Sequence, residues 1–179
     1  FVSLDALKTH KCKEVQEQGC AALRQLCAGS YENRRRAGDV GGVEAVLEAL
    51  KTHRSSAGVQ EQGCAALWNL CVLSNENKRR AGSAGGVEAI VDALKAHRAE
   101  MQVQEQCCGA LMNLCAGIIE NKIRAGEAGG IEAVGDALRD HRGCAQVQSN
   151  GCGALINVIA ASGTADNARR AKAAGAVEA

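Results

Sequence analysis

Val43, Val46, Leu47 and Leu50 fall at i, i+3, i+4 and i+7, and Val87, Ile90, Val91 and Leu94 repeat that spacing. Such a stripe predicts a helix with one apolar face. The helix begins after Gly41-Gly42 or Gly85-Gly86 and ends near His53, His97 or His141. A longer helix is predicted beyond a linker. On it Val59, Gly63, Cys64, Ala66, Leu67, Leu70 and Cys71 cover one broad face, and Glu61, Gln62, Ala65, Trp68 and Asn69 the other. Between Asn77 and Gly82 a short segment makes one or two turns before Gly82 and Gly85-Gly86 break it. None of these three helices can bury its apolar face alone, so neighbours must stack.

The pattern recurs with a fixed step. Val15-Gln16-Glu17-Gln18-Gly19-Cys20-Ala21-Ala22-Leu23 returns from Val59, from Val103 and, more diverged, from Val147, a step of 44 residues each time. Glu32-Asn33-Arg34-Arg35-Arg36-Ala37-Gly38 and Gly41-Gly42-Val43-Glu44-Ala45 recur at the same interval. The fourth unit slips by two residues at Ser162-Gly163-Thr164, an insertion expected to lie between helices. A period of this length signifies a solenoid. Residues 1–179 therefore form a single array of about four 44-residue units. The sequence opens at Phe1 inside a diverged second helix and stops at Ala179 inside another, as expected of a piece of a longer array.

Composition narrows the picture. Apolar residues make up 46% but aromatics only 2%, so small and aliphatic side chains must fill the core, which suits close-packed helices. Proline is absent, and the 21 glycines supply the punctuation. A net charge of +1 gives no long-range attraction toward nucleic acid or an anionic membrane. No apolar run approaches the roughly 20 residues of a membrane span.

The order Glu-Asn-Lys-Arg-Arg-Ala-Gly (76–82), Gly-Gly-Val-Glu-Ala (85–89), a one-faced helix, then Gln-Glu-Gln and Leu-Met-Asn-Leu-Cys (104–115) resembles the armadillo repeat, the family of the importin-α and β-catenin adaptors. The likeness covers essentially the whole chain. It implies an all-α, right-handed superhelix of three-helix repeats and a non-enzymatic protein-binding scaffold. It further implies that the third helices line a concave groove where asparagines hydrogen-bond the backbone of an extended peptide. That ladder falls on Asn69, Asn113 and Asn157, with Gln25 in the first unit, and a second amide row on Gln18, Gln62, Gln106 and Asn150. A carboxamide carries donor and acceptor, so it can pair with both backbone groups of an extended chain. Helices about 10 Å apart and a peptide rising ~3.3 Å per residue put two or three peptide residues on each unit. The alternative is that these amides merely solvate an exposed helix face.

One departure bears on specificity. Importin-α-like grooves carry a tryptophan one turn before the asparagine, and here those positions are Ala21, Ala65, Gly109 and Gly153. The sole tryptophan, Trp68, stands beside Asn69, and its equivalents Arg24, Met112 and Ile156 make this the most varied position of the long helices. A varied position in a repeated groove is where ligand selectivity is expected. Glu17, Glu61 and Glu105 form an acidic row that either favours a basic peptide or is simply solvated.

Ten cysteines and four histidines invite a metal or redox role. Cys20, Cys64, Cys108 and Cys152 are equivalent, as are Cys27, Cys71 and Cys115, so they read as small core hydrophobes one helix spacing apart. Cys12, Cys107 and Cys144 fall outside these rows and are the expected exposed thiols. Free thiols in such number point to the cytosol or nucleus. His10, His53, His97 and His141 are spaced one per unit at a helix end, which suits the helix dipole and does not converge on one metal. No phosphate loop or nucleophile elbow appears, so no catalytic residue and no cofactor is expected. The basic triplets Arg34–Arg36 and Lys78–Arg80 either clasp phosphates or acidic peptide or form a solvated face offset by Glu44, Glu48 and Glu88. Without interleaved aromatics, nucleic-acid binding is a weaker candidate. Two functions remain open: a groove for an extended peptide, or a structural spacer that self-associates end to end through uncapped terminal helices.

Overall fold

The computed structural model describes residues 2–160 together with residues 169, 170, 172 and 175. The two-residue slip expected at 162–164 lies outside the described residues. Among the described residues up to 160, eleven helices run α1 (Val2–Thr9), α2 (Lys13–Cys27), α3 (Tyr31–Asp39), α4 (Gly42–Thr52), α5 (Ala57–Cys71), α6 (Asn75–Ser83), α7 (Gly86–Ala96), α8 (Met101–Cys115), α9 (Ile119–Glu127), α10 (Gly130–Asp140) and α11 (Ala145–Ile159). No strand occurs among the described residues. The short, medium and long helices of each unit are thus those the apolar spacing predicts, and α1 takes the second-helix position.

Helix boundaries follow from local chemistry. Ser30, Ser56 and Ser74 occupy N-cap positions, each hydroxyl accepting a backbone N–H of its own helix, from Asn33, Val59 and Asn77. The turn from short to medium helix needs two glycines for different reasons. Gly41, Gly85 and Gly129 adopt φ of +82°, +81° and +80°, a left-handed conformation that a side chain disfavours. The next glycine packs on backbone, where a Cβ at Gly42 would lie 2.7 Å from the Ala37 carbonyl oxygen.

The long helices α2, α5, α8 and α11 pack on one another in chain order, and each also packs on the medium helix that precedes it. One continuous core runs between them, from Leu4 and Leu7 through Leu23, Leu47, Leu67, Ile90 and Leu111 to Leu155 and Val158. Cys20, Cys27, Cys64, Cys71, Cys108 and Cys115 are wholly buried in it. Inter-unit contacts are also polar. Lys8, Lys51 and Lys95 donate to the carbonyls of Val40, Ala84 and Ala128 in the following short-helix turn. The Nε2 atoms of His53, His97 and His141 donate to the carbonyls of Lys11, Arg54 and Arg98 in the preceding unit, at 2.9, 2.7 and 2.7 Å. A carbonyl only accepts, so each ring holds a proton on Nε2. The histidines stand at helix ends as expected, and they tie one unit to the next.

Candidate functional site

The candidate residues lie along the layer of long helices. Asn69, Asn113 and Asn157 are partly buried because each reaches back to the preceding long helix. Their Nδ2 groups donate to the backbone carbonyls of Arg24 (2.9 Å), Trp68 (3.1 Å) and Met112 (2.8 Å). These acceptors sit in the last turn of their helices, and the Arg24 and Trp68 carbonyls also accept the backbone N–H of Ala28 and Val72, so the asparagine takes the second lone pair. A carboxamide has two N–H donors and an acceptor oxygen, so each rung keeps one N–H and its carbonyl after making this bond. Gln25 is exposed.

The second row behaves differently along its length. Asn150 donates to the Glu105 carbonyl at 3.2 Å. Gln62 and Gln106 donate to the carboxylates of Glu61 (2.9 Å) and Glu105 (3.1 Å) beside them. Arg24 donates to Gln62 Oε1 at 3.2 Å, which joins the first and second units. Gln18 is exposed, whereas Glu17, Glu61 and Glu105 are partly buried. Two carboxylates one unit apart, each holding one amide N–H, leave acceptor capacity and negative charge along the face.

Trp68 and Met112, both partly buried, pack against the following long helix. A Cβ added at Gly109 would fall inside the Trp68 ring, and one at Gly153 would overlap the Met112 sulfur. The positions left empty by the missing groove tryptophans are thus covered by the large side chains of the preceding helix. This gives a physical reason for the variation along the row. The size of residue 68 or 112 is matched to the hole opposite, and Ile156, at 67% exposure, is the least covered. Ala65 belongs to the core at 3% exposure, although the pattern put it on the open face.

The basic triplets are divided between the interior and the surface. Arg34 and Lys78 are buried and donate across the unit boundary to the carbonyls of Val72 and Ala116. Arg35 pairs with Glu32 and Asp39, and Arg80 with Glu44 and Glu76. The neighbouring guanidinium of Arg35 holds the Glu32 carboxyl below its usual range. Cysteine exposure also departs from expectation. Cys12 is exposed and Cys144 half-buried, but Cys107 is fully buried while Cys152, the last rung of its row, is exposed. Burial pushes the Cys20, Cys71, Cys108 and Cys115 thiols up to about 12. No group of three or more His, Cys, Asp or Glu side chains suited to a metal occurs among the described residues. No helix there is long and apolar enough to cross a membrane.

Two ladders escaped the sequence pattern. Gln16, Gln60, Gln104 and Gln148 each donate to two carbonyls at the end of the medium helix, as Gln60 does to Leu50 (2.9 Å) and His53 (3.0 Å). Asn77 and Asn121 in the short helices donate both to their own long helix and to the previous short helix. Recurrence at the 44-residue step was the available signal. It marks a position as constrained but not by what.

The armadillo/β-catenin-like repeat family matches residues 74–116, which is one full unit. No curated protein matches the chain in sequence. Among solved structures, an engineered protein is 29% identical with a TM-score of 0.82, covering 97% of this chain and 40% of that one. A designed armadillo repeat protein in complex with the peptide (KR)4 is 20% identical, with a TM-score of 0.79 over 98% of this chain and 70% of that one. A computationally designed armadillo repeat protein for modular peptide recognition is 22% identical, with a TM-score of 0.81 over the same shares. The repeat signature, the three-helix unit and the stacking order lead to one conclusion: the chain has the armadillo-type solenoid fold, with residues 74–116 matching the armadillo repeat itself.

Proposed function

We propose that this protein is a non-enzymatic scaffold that binds an extended, basic polypeptide segment along its long-helix face. The observation that carries this reading is the state of the amide rungs. Asn69, Asn113 and Asn157 are each fixed by one bond to the preceding helix and keep one N–H and one carbonyl oxygen, spaced one unit apart. That is what a peptide backbone pairs with, and pre-fixed side chains lose little entropy on binding. Glu61 and Glu105 on the same helices supply the negative charge that selects lysine and arginine. A structural relative carrying the (KR)4 peptide adds support by analogy. Unpaired thiols suit a reducing compartment, the cytosol or nucleus.

The test is the affinity for an alternating lysine–arginine octapeptide, measured by fluorescence anisotropy against an octapeptide of alternating aspartate and serine. The basic peptide is expected to bind, and E61K/E105K to weaken it at least tenfold without lowering the thermal midpoint. Equal affinity for both peptides, or no binding of either, overturns the proposal. A second reading has an observation of its own. The same asparagines hold successive helices together, which is all that a spacer without a ligand requires. In that case N69A/N113A changes stability alone.

A further inference from the structure

Cys107 breaks the repeat. The other units have Gly19, Gly63 and Gly151 at this position, where an added Cβ would lie 2.6 to 2.7 Å from Leu7, Leu50 or Leu138 of the medium helix. In α8 the side chain is accommodated, and its Sγ donates to the Sγ of Cys64 on α5 at 3.4 Å. Both residues are wholly buried. Two thiols on successive long helices are therefore in contact, although the spacing of equivalent cysteine rows argued against any such approach.

We propose that Cys64 and Cys107 form a dithiol that hydrogen peroxide closes to a disulfide between α5 and α8. One sulfur, as its thiolate, attacks a peroxide oxygen; the O–O bond breaks, hydroxide leaves, and the sulfur becomes a sulfenic acid. The second sulfur then attacks the sulfenic sulfur, forming the S–S bond and expelling hydroxide. Two thiols and one peroxide give one disulfide and two waters, with two electrons passing from sulfur to oxygen. Peroxide is small, which suits a site where neither sulfur meets solvent, and access runs through local opening of adjacent units. Burial holds the Cys107 thiol well above its ordinary range, so closure is slow and quickens as pH rises. The link spans neighbouring units and limits how far α5 and α8 separate in the unfolded chain. The inference is independent of what the long-helix face binds.

The experiment exposes the fully reduced chain to hydrogen peroxide under native conditions. Remaining thiols are then blocked with N-ethylmaleimide in denaturant, and the digest is mapped by mass spectrometry without reduction. The expected product is a linked peptide pair containing Cys64 and Cys107, two hydrogens lighter than the sum of its parts. The oxidised protein is expected to melt several degrees higher than the reduced one, reversibly with dithiothreitol. C107G, which restores the glycine of the other units, should fold and give no linked pair. Recovery of both cysteines as blocked thiols, or as sulfinic or sulfonic acids, overturns the proposal, as does a link from either to a third cysteine.

Discussion

At the scale of single residues, Leu73 is the clearest case of local conflict. It has φ of 55° and is 80% exposed, in a turn where the equivalent residues are Gly29 and Gly117 with φ of 70° and 77°. A branched side chain in the left-handed region costs about 1–2 kcal/mol relative to glycine, partly offset by the extra freedom glycine has when unfolded. Leu73→Gly is therefore expected to stabilise the protein by about 0.5–1 kcal/mol in urea denaturation. The cysteines give a second residue-scale prediction. Iodoacetamide at pH 8 should modify Cys12 and Cys152 readily and Cys144 more slowly, because the remaining thiols are buried. Cys20, Cys71, Cys108 and Cys115 are also held near 12 and are largely un-ionised at that pH. Mass spectrometry of the intact protein reads the outcome directly. Rapid labelling of any buried cysteine would contradict the packing.

At the scale of elements, what joins units is a set of buried amides whose positions are coupled to glycines opposite them. Asn77 crosses to the Arg34 carbonyl over Gly38, where a Cβ would overlap Oδ1 of Asn77. Gly38→Ala should cost about 1–3 kcal/mol by forcing that amide off its acceptors. Asn77→Ala should cost a similar amount, by stranding the Leu70 and Arg34 carbonyls. The double variant is expected to cost clearly less than the sum, because the methyl group and the amide compete for one space. Additive losses in a denaturation cycle would show that the two sites are not coupled. Gln60→Ala breaks a different joint, between α4 and α5, and should cost about 1–3 kcal/mol by removing both of its buried bonds.

At the scale of the whole molecule, stability is a sum over units and the interfaces between neighbours. Trp68 over Gly109 is one such interface, so a change there should be felt locally. Trp68→Ala is expected to destabilise by about 2–3 kcal/mol, below the range for a fully buried tryptophan because the ring is half-buried. Hydrogen exchange should quicken in α5 and α8 and leave α2 nearly unchanged. Uniform loss of protection across all helices would instead mean that the array unfolds as one unit.

The sequence by itself determined the helical architecture, its period and its stacking. The i, i+3, i+4, i+7 stripes of Val43–Leu50 and Val87–Leu94 have one structural meaning, and the 44-residue step carries it along the chain. It also marked the amide rows, because recurrence at equivalent positions survives any detail of packing. Tertiary structure decided which partner each polar group takes. Nothing in the order of residues says that Asn69 reaches the Arg24 carbonyl, that Arg34 turns inward to Val72, or that Trp68 covers Gly109. Those contacts join residues about one unit apart, and a periodic sequence fixes the distance between equivalent positions but not the angle at which helices cross. A few degrees of that angle decide whether an amide meets a carbonyl or solvent. The same geometry brought Cys107 to Cys64, a meeting of non-equivalent positions that the repeat pattern could not express.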